Sequence, residues 1–90
     1  MIVVNHWING KEFVSTSGRT APVFDPALGV ETKKVALANS SEISAAISAA
    51  KNAFPEWRDT SLAKRQAIIF KFRELLNAKK GELAEIITSE

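Results

Sequence analysis

The chain has no cysteine among its 90 residues. This absence excludes disulfide bonds, thiolate metal ligands and a cysteine nucleophile from this stretch of polypeptide. Histidine is almost absent too, since His6 is the only one. No acidic residue lies within four positions of His6, so the sequence predicts a surface histidine on an edge strand and no metal site.

Glycine is also sparse, and the four glycines, at positions 10, 18, 29 and 81, lie too far apart to form a glycine-rich phosphate loop. No apolar run approaches the roughly 20 residues of a membrane span. The first residues lack the basic region of a signal peptide. The net charge of +2 is too small by itself to indicate a nucleic acid or a membrane as partner. With 46% hydrophobic and 24% charged residues, the chain is expected to be globular.

The first half of the chain predicts strands and turns. Four segments are predicted as strands: residues 3–8, 11–14, 20–24 and 30–37. Asn9-Gly10 joins the first two and tolerates the positive φ angles of a type I′ turn, so these two strands should form a hairpin. Residues 15–19 should form a loop, and Asp25-Pro-Ala-Leu-Gly29 has the composition of a turn.

The second half predicts three helices. The first begins at Asn39-Ser40-Ser41 with Glu42 in its first turn, and it should end at Phe54 because Pro55 disfavours helix at the preceding residue. The second covers residues 62–77, with Thr60 or Ser61 as its cap. Gly81 should break it, and a third helix should follow over residues 82–90. The fold class predicted for residues 1–90 is α+β, with strands and turns in residues 1–38 and helices in residues 40–90.

Two residues of the second helix have unusual positions. Trp57, which precedes that helix, has a large apolar side chain that should pack against other residues. Arg65 falls within the apolar arc, so it should meet a carboxylate or helix-end carbonyls as a structural clamp and not act in catalysis. Phe70 lies on the other side, near small residues, which indicates a second apolar flank that 90 residues cannot cover. The last helix also lacks a residue typical of a helix end. Together these features predict that the sequence belongs to a longer protein.

Positions 58 to 80 contain seven basic residues and two acidic residues. This stretch is the one feature that favours a polyanion as partner. The basic residues are spread around the helix instead of forming one stripe, so a solvated surface is the preferred interpretation.

Several short motifs, in order, resemble the N-terminal segment of the aldehyde dehydrogenase superfamily. They are Ile8-Asn-Gly-Lys11, Phe24-Asp-Pro-Ala-Leu-Gly29, Ile43-Ser-Ala-Ala-Ile-Ser-Ala-Ala-Lys-Asn-Ala-Phe54, Trp57 followed by Arg65, and Leu83-Ala-Glu-Ile-Ile-Thr-Ser-Glu90. The run Ala53-Phe-Pro-Glu-Trp-Arg-Asp-Thr-Ser61, with Arg65-Gln66, is most similar to the CoA-acylating methylmalonate-semialdehyde dehydrogenase branch. Leu28 departs from the superfamily turn, which usually has threonine there.

The resemblance implies a parent enzyme with an α/β fold, in which this chain is the leading portion of the NAD-binding domain. It implies NAD as cofactor and CoA as co-substrate. A cysteine thiolate would attack methylmalonate or malonate semialdehyde, hydride would pass to NAD, and CoA would release propanoyl-CoA or acetyl-CoA with loss of carbon dioxide, as in valine catabolism. The catalytic cysteine, the glutamate base and the cofactor loops lie outside this segment in the family pattern. No catalytic, cofactor-binding or metal residue is therefore assigned here, and the chain alone is predicted to be non-catalytic.

The resemblance further implies that the partners are the remainder of the parent chain and identical subunits, as a tetramer, with no nucleic acid and no membrane. It implies a cytoplasmic location in a bacterium or the mitochondrial matrix in a eukaryote. Two other interpretations of the sequence stay open: a complete small protein-interaction module that docks a partner on its apolar helix flank, and a weak nucleic-acid binder that uses the basic helix.

Overall fold

The computed structural model describes residues 1–90 and contains five strands and three helices, which confirms the α+β class. The strands are β1 (Ile2–Val4), β2 (His6–Ile8), β3 (Lys11–Phe13), β4 (Thr20–Asp25) and β5 (Val30–Ala36). The helices are α1 (Ser40–Asp59), α2 (Leu62–Ala78) and α3 (Lys80–Ser89). None of the helices combines the length and the apolar character that crossing a bilayer requires.

The strands form two separate sheets. One has the order β1-β5-β4, with β1 parallel and β4 antiparallel to β5, and the other is the antiparallel β2–β3 hairpin. The prediction of one strand over residues 3–8 is therefore wrong, because Asn5 interrupts it and its two halves pair with different strands. An alternating apolar pattern identifies extended backbone but does not reveal where the pairing partner changes.

Both predicted turns are confirmed by their backbone geometry. Asn9 and Gly10 have φ angles of 56° and 76°, the two positive values that a type I′ hairpin turn requires. In the turn between β4 and β5, Asp25 Oδ1 accepts hydrogen bonds from the amides of Ala27 (2.9 Å) and Leu28 (3.2 Å). This Asx geometry fixes the turn before Gly29 closes it.

Helix α1 starts where predicted but ends five residues later than predicted. Asn39 is its N-cap, and α1 continues through Pro55 to Asp59. The prediction that Pro55 ends the helix at Phe54 is wrong. A proline late in a helix removes one backbone hydrogen bond, but the turns already formed hold the chain in register. The final turn is closed by Thr60, whose hydroxyl donates to the carbonyl of Glu56 at 2.7 Å.

Helix α2 is capped by Ser61, whose hydroxyl oxygen accepts from the amide of Lys64 at 3.2 Å, so Ser61 and not Thr60 is the cap. The break between α2 and α3 falls at Lys79, with φ −108° and ψ 15°, and not at Gly81. Gly81 lies in the first turn of α3. The first turn contributes few hydrogen bonds of its own amides, so a glycine there does not end a helix.

The molecule is a thin slab with almost no interior. Its extents are 47 × 36 × 14 Å, and its radius of gyration is 16.9 Å, whereas a folded domain of this length has a value of about 12 Å. Only Ala36 and Glu42 are buried. Trp57 remains 41% exposed, so the cover expected for it is incomplete within this chain.

Candidate functional site

The one buried polar cluster of the chain surrounds Glu42, at the start of α1. Its carboxylate accepts hydrogen bonds from the Ser15 hydroxyl (2.8 and 2.9 Å) and the Thr16 amide (2.8 Å) in the loop after β3. It also accepts from the Asn39 amide at 3.2 Å, while the Asn39 side chain accepts from the Glu42 amide at 2.9 Å. This reciprocal pair is a capping box. The cluster therefore joins the 15–19 loop to the N-terminus of α1.

These donors lower the pKa of Glu42 below its ordinary value of 4.5. The hydrogen bond from the Thr16 amide has the largest effect, desolvation by burial opposes it, and the Ser15 hydroxyl and the Asn39 amide lower the pKa further. A carboxylate whose lone pairs are occupied by donors, and whose charged form is favoured, is a poor general base. The geometry therefore indicates a structural role for Glu42.

His6 lies beside this cluster and not on the open surface. Its Nε2 is 3.6 Å from a carboxylate oxygen of Glu42, its side chain is 21% exposed, and Nε2 has no hydrogen-bond partner. His6 does lie on an edge strand, since β2 belongs to a two-stranded sheet. The prediction that its side chain is at the surface is wrong, because Glu42 at the start of α1 lies beside it. The structure contains no group of three or more histidine, aspartate or glutamate side chains that could hold a metal ion.

The sequence predicts the part of the Glu42 cluster that lies within α1 and its cap, but not the contacts with the 15–19 loop. The spacing of Asn39 and Glu42 is readable as a helix start with an acidic residue in the first turn. Its partners Ser15 and Thr16 lie 27 and 26 residues earlier. No local pattern indicates that a serine-rich loop will meet a particular glutamate across that distance.

The rest of the chain exposes apolar side chains. Phe70 is 52% exposed, which confirms the predicted uncovered flank, and the other large apolar residues of α2 are also exposed. The accessible surface is 7309 Å², whereas a folded monomer of this mass exposes about 5,200 Å². An exposed apolar surface of this extent indicates an interaction surface.

Neither the groove beside α1 nor the basic stretch from 58 to 80 has the features of a ligand site. A shallow groove of about 510 Å³ runs between the hairpin tip at Trp7 and Gly10 and the alanine-rich side of α1. It is open, and six of its eight lining residues are hydrophobic, so it lacks the convergent polar groups of a ligand site. The basic stretch from 58 to 80 contains two ion pairs between exposed side chains. Arg58 lies 3.2 Å from Asp59, and Lys71 lies 3.6 Å from Glu74.

The clamp predicted for Arg65 is absent from this chain. Arg65 is only partly exposed, its Nε is buried, and its guanidinium makes neither a hydrogen bond nor an ion pair with a carboxylate or a helix-end carbonyl. Residues 1–90 alone therefore do not supply the predicted partner, and the structural clamp stays a prediction. The apolar arc has no covering element here that could bring one.

Comparison with known protein families identifies the class of protein to which these two small sheets, the long capped helix and the uncovered helices belong. The family model described as aldehyde dehydrogenase family matches residues 13–90, which is most of the chain. The chain belongs to the aldehyde dehydrogenase family.

Individual relatives narrow the similarity within that family. Over all 90 residues the chain is 40% identical to malonate-semialdehyde dehydrogenase of Pseudomonas aeruginosa, of which it covers 18%. It is 40% identical over 87 residues to the acylating, mitochondrial methylmalonate-semialdehyde dehydrogenase of Arabidopsis thaliana, of which it covers 14%. The chain thus spans less than a fifth of the length of these relatives.

Solved structures agree with the sequence comparisons. The chain matches the crystal structure of methylmalonate-semialdehyde dehydrogenase from Oceanimonas doudoroffii with a TM-score of 0.93 and 40% identity, covering 100% of this chain and 18% of that one. It matches a structure described as a methylmalonate-semialdehyde dehydrogenase from Sinorhizobium meliloti 1021, complexed with NAD, with a TM-score of 0.95, 40% identity and the same coverage.

Proposed function

We propose that the chain is the leading segment of an NAD-dependent aldehyde dehydrogenase that oxidises malonate or methylmalonate semialdehyde to an acyl-CoA with release of carbon dioxide. The observation that supports this most strongly is the 40% identity along the whole chain to a malonate-semialdehyde dehydrogenase. The acylating relative from Arabidopsis supports CoA as the acyl acceptor. The relative complexed with NAD supports NAD as the oxidant.

Within this proposal, residues 1–90 contribute structure and not chemistry. They lack a cysteine, and Glu42, their one buried carboxylate, is occupied by hydrogen-bond donors. They do not fit an NAD site either. The four glycines, at positions 10, 18, 29 and 81, are too far apart in the sequence to form a glycine-rich loop around the cofactor's phosphates. NAD would be held by other parts of the parent protein.

The structural contribution is the leading portion of the NAD-binding domain, with the strands in residues 1–38 and the helices in residues 40–90. Its partners would be the rest of the same chain and identical subunits, as a homotetramer. The excess of exposed apolar surface supports a covering partner. A mitochondrial location in a eukaryote is supported by the names of the Dictyostelium and Arabidopsis relatives, and a cytoplasmic one is proposed for a bacterium.

An assay of NADH formation tests the proposal. The full-length gene product is mixed with NAD and methylmalonate semialdehyde, with and without CoA, and the acyl product is identified by mass spectrometry. We expect sustained NADH formation and propanoyl-CoA only when CoA is present, at most one NADH per active site without CoA, and no NADH from residues 1–90 alone. Hydrolysis without CoA would contradict the acylating branch, and turnover by residues 1–90 would contradict their non-catalytic role.

A complete interaction module without enzymatic activity is the second candidate. The exposed apolar side chains of α2 favour it, because a docking surface would also expose them. The intact mass of the natural gene product separates the two. A mass several times that of this 9.8 kDa chain supports the dehydrogenase, and a mass equal to it supports the module.

A further inference from the structure

Arg65 is the one charged residue between positions 58 and 80 that is not exposed. Its Nε is buried without a hydrogen-bond partner. A guanidinium is strongly hydrated in water and always charged, so withdrawing it from solvent without a partner is unfavourable. The position therefore calls for an acceptor that residues 1–90 do not supply.

The apolar residues on the same face of α2 define where that acceptor must come from. Three apolar residues share the face of α2 that carries Arg65. Leu62 precedes Arg65 by three positions, and Ile69 and Phe72 follow it by four and seven. They are 77%, 55% and 56% exposed. Any element that covers them also removes the remaining water from the guanidinium, and it must then bring its own oxygen acceptor.

No carboxylate of residues 1–90 contacts Arg65. The acidic residues of the stretch, Asp59 and Glu74, already lie 3.2 Å from Arg58 and 3.6 Å from Lys71. Positions 58 to 80 contain seven basic residues and only these two acidic ones, so the net positive charge of the stretch favours an anionic group from elsewhere. The planar guanidinium fork matches a carboxylate, which can accept two parallel hydrogen bonds from it.

We propose that Leu62, Arg65, Ile69 and Phe72 form a docking surface, the Arg65 surface, whose occupant is a segment of the same polypeptide from outside residues 1–90. That segment presents an aspartate or glutamate carboxylate to Arg65. The proposal rests on the proposed function, because it requires a longer parent chain. The length of the relatives, of which this chain covers 18%, provides that chain.

Thermal unfolding of the full-length protein with substitutions at Arg65 tests the Arg65 surface. Arg65→Gln removes the charge and leaves the carboxylate buried without a partner, so the unfolding midpoint should fall by about 5 °C. Arg58→Gln is the matched control, since Arg58 is exposed and paired with its neighbour, and it should shift the midpoint by less than about 1 °C. Equal shifts for the two variants would overturn the proposal.

A second pair of variants covers the case in which Arg65→Gln does not fold. Arg65→Lys keeps the charge but loses the fork, so it should lower the midpoint more than Arg58→Lys does. A crystal structure of the full-length protein gives the direct check. We expect a carboxylate oxygen from outside residues 1–90 within 4 Å of the guanidinium. Backbone carbonyls alone, or a carboxylate of a second subunit, would overturn the assignment.

These measurements need neither NAD nor a semialdehyde, so the two proposals fail separately. A full-length protein that forms no NADH but shows the contrast between Arg65 and Arg58 would reject the dehydrogenase and retain the Arg65 surface. An active dehydrogenase with equal shifts would retain the function and reject the surface.

Discussion

Glu42 shows at the scale of one residue how this fold is held together. Its carboxylate contacts the loop at Ser15 and Thr16, and its backbone belongs to α1. A buried carboxylate is stable there because donors from two separate parts of the chain replace its water. Removing it would leave those donors without an acceptor.

Replacement of Glu42 should make stability less dependent on pH. Because its pKa in the folded state lies below 4.5, the unfolded state binds the proton more tightly, and the stabilising effect is present above pH 4.5 and lost as pH falls through the lowered pKa. In the full-length protein, Glu42→Gln should lower the unfolding midpoint by a few degrees at pH 7, and the difference should shrink below pH 4.5.

Glu85→Gln is the matched control, because Glu85 is exposed on α3 and makes no side-chain hydrogen bond. It should leave the midpoint nearly unchanged across the same pH range. A Glu42→Gln difference that is the same at pH 4 and pH 7 would contradict the role assigned to the ionised carboxylate.

The sequence predicts a residue's structure correctly where that structure depends only on its neighbours in the chain. Asn9-Gly10 requires two positive φ angles, and the Asn39 cap needs only a partner three residues away. The surroundings of His6 and Arg65 depend on distant residues, which the local sequence does not identify. For His6 the neighbour is on α1, and for Arg65 it is missing from the chain.

At the scale of elements, a helix tolerates more than its breaker residues suggest. Pro55 lies in the fifth turn of α1, and Gly81 lies in the first turn of α3, yet both helices continue. Proline and glycine make a helix less stable by a limited amount, whereas the length of the helix and its caps determine where it ends. The existence of all three helices was predictable, and their ends near Pro55 and Gly81 were not.

Alanine substitutions at two glycines should have opposite effects on the full-length protein. Gly10 has a φ angle of 76°, where a side chain is strained, so Gly10→Ala should destabilise by about 1 kcal/mol. Gly81 has an ordinary helical backbone with free space around it, so Gly81→Ala should stabilise by up to about 1 kcal/mol. Thermal unfolding measures both. Destabilisation by Gly81→Ala would show that another part of the protein packs closely on α3.

At the scale of the whole molecule, the surface area is the decisive quantity. The excess over a folded monomer of the same mass is about 2,100 Å², which is more than twice the roughly 800 Å² that each partner buries in a standard interface. The sequence indicated uncovered surface at Phe70. The separation of β1 from β2 was not predictable, since β1 pairs with β5, which lies more than 25 residues later.

Residues 1–90, prepared alone, should therefore associate or remain loosely folded. Sedimentation should show mass that rises with concentration, a dye for apolar surface should bind, and the melt should be broad. The full-length protein is the control and should show none of these. A sharp melt of a monomeric 90-residue chain, unchanged with concentration, would favour the interaction module instead.

The thinness of the slab has a consequence for biosynthesis. If the segment leads a polypeptide as long as its relatives, about 500 residues given that 90 residues are 18% of one, it leaves the ribosome first. At about 5–20 residues per second, the remaining part takes about 20–80 seconds to translate. During that interval the apolar side chains of the helices would be exposed to the cytosol, and ribosome-associated chaperones would be expected to bind them until the rest of the protein is made.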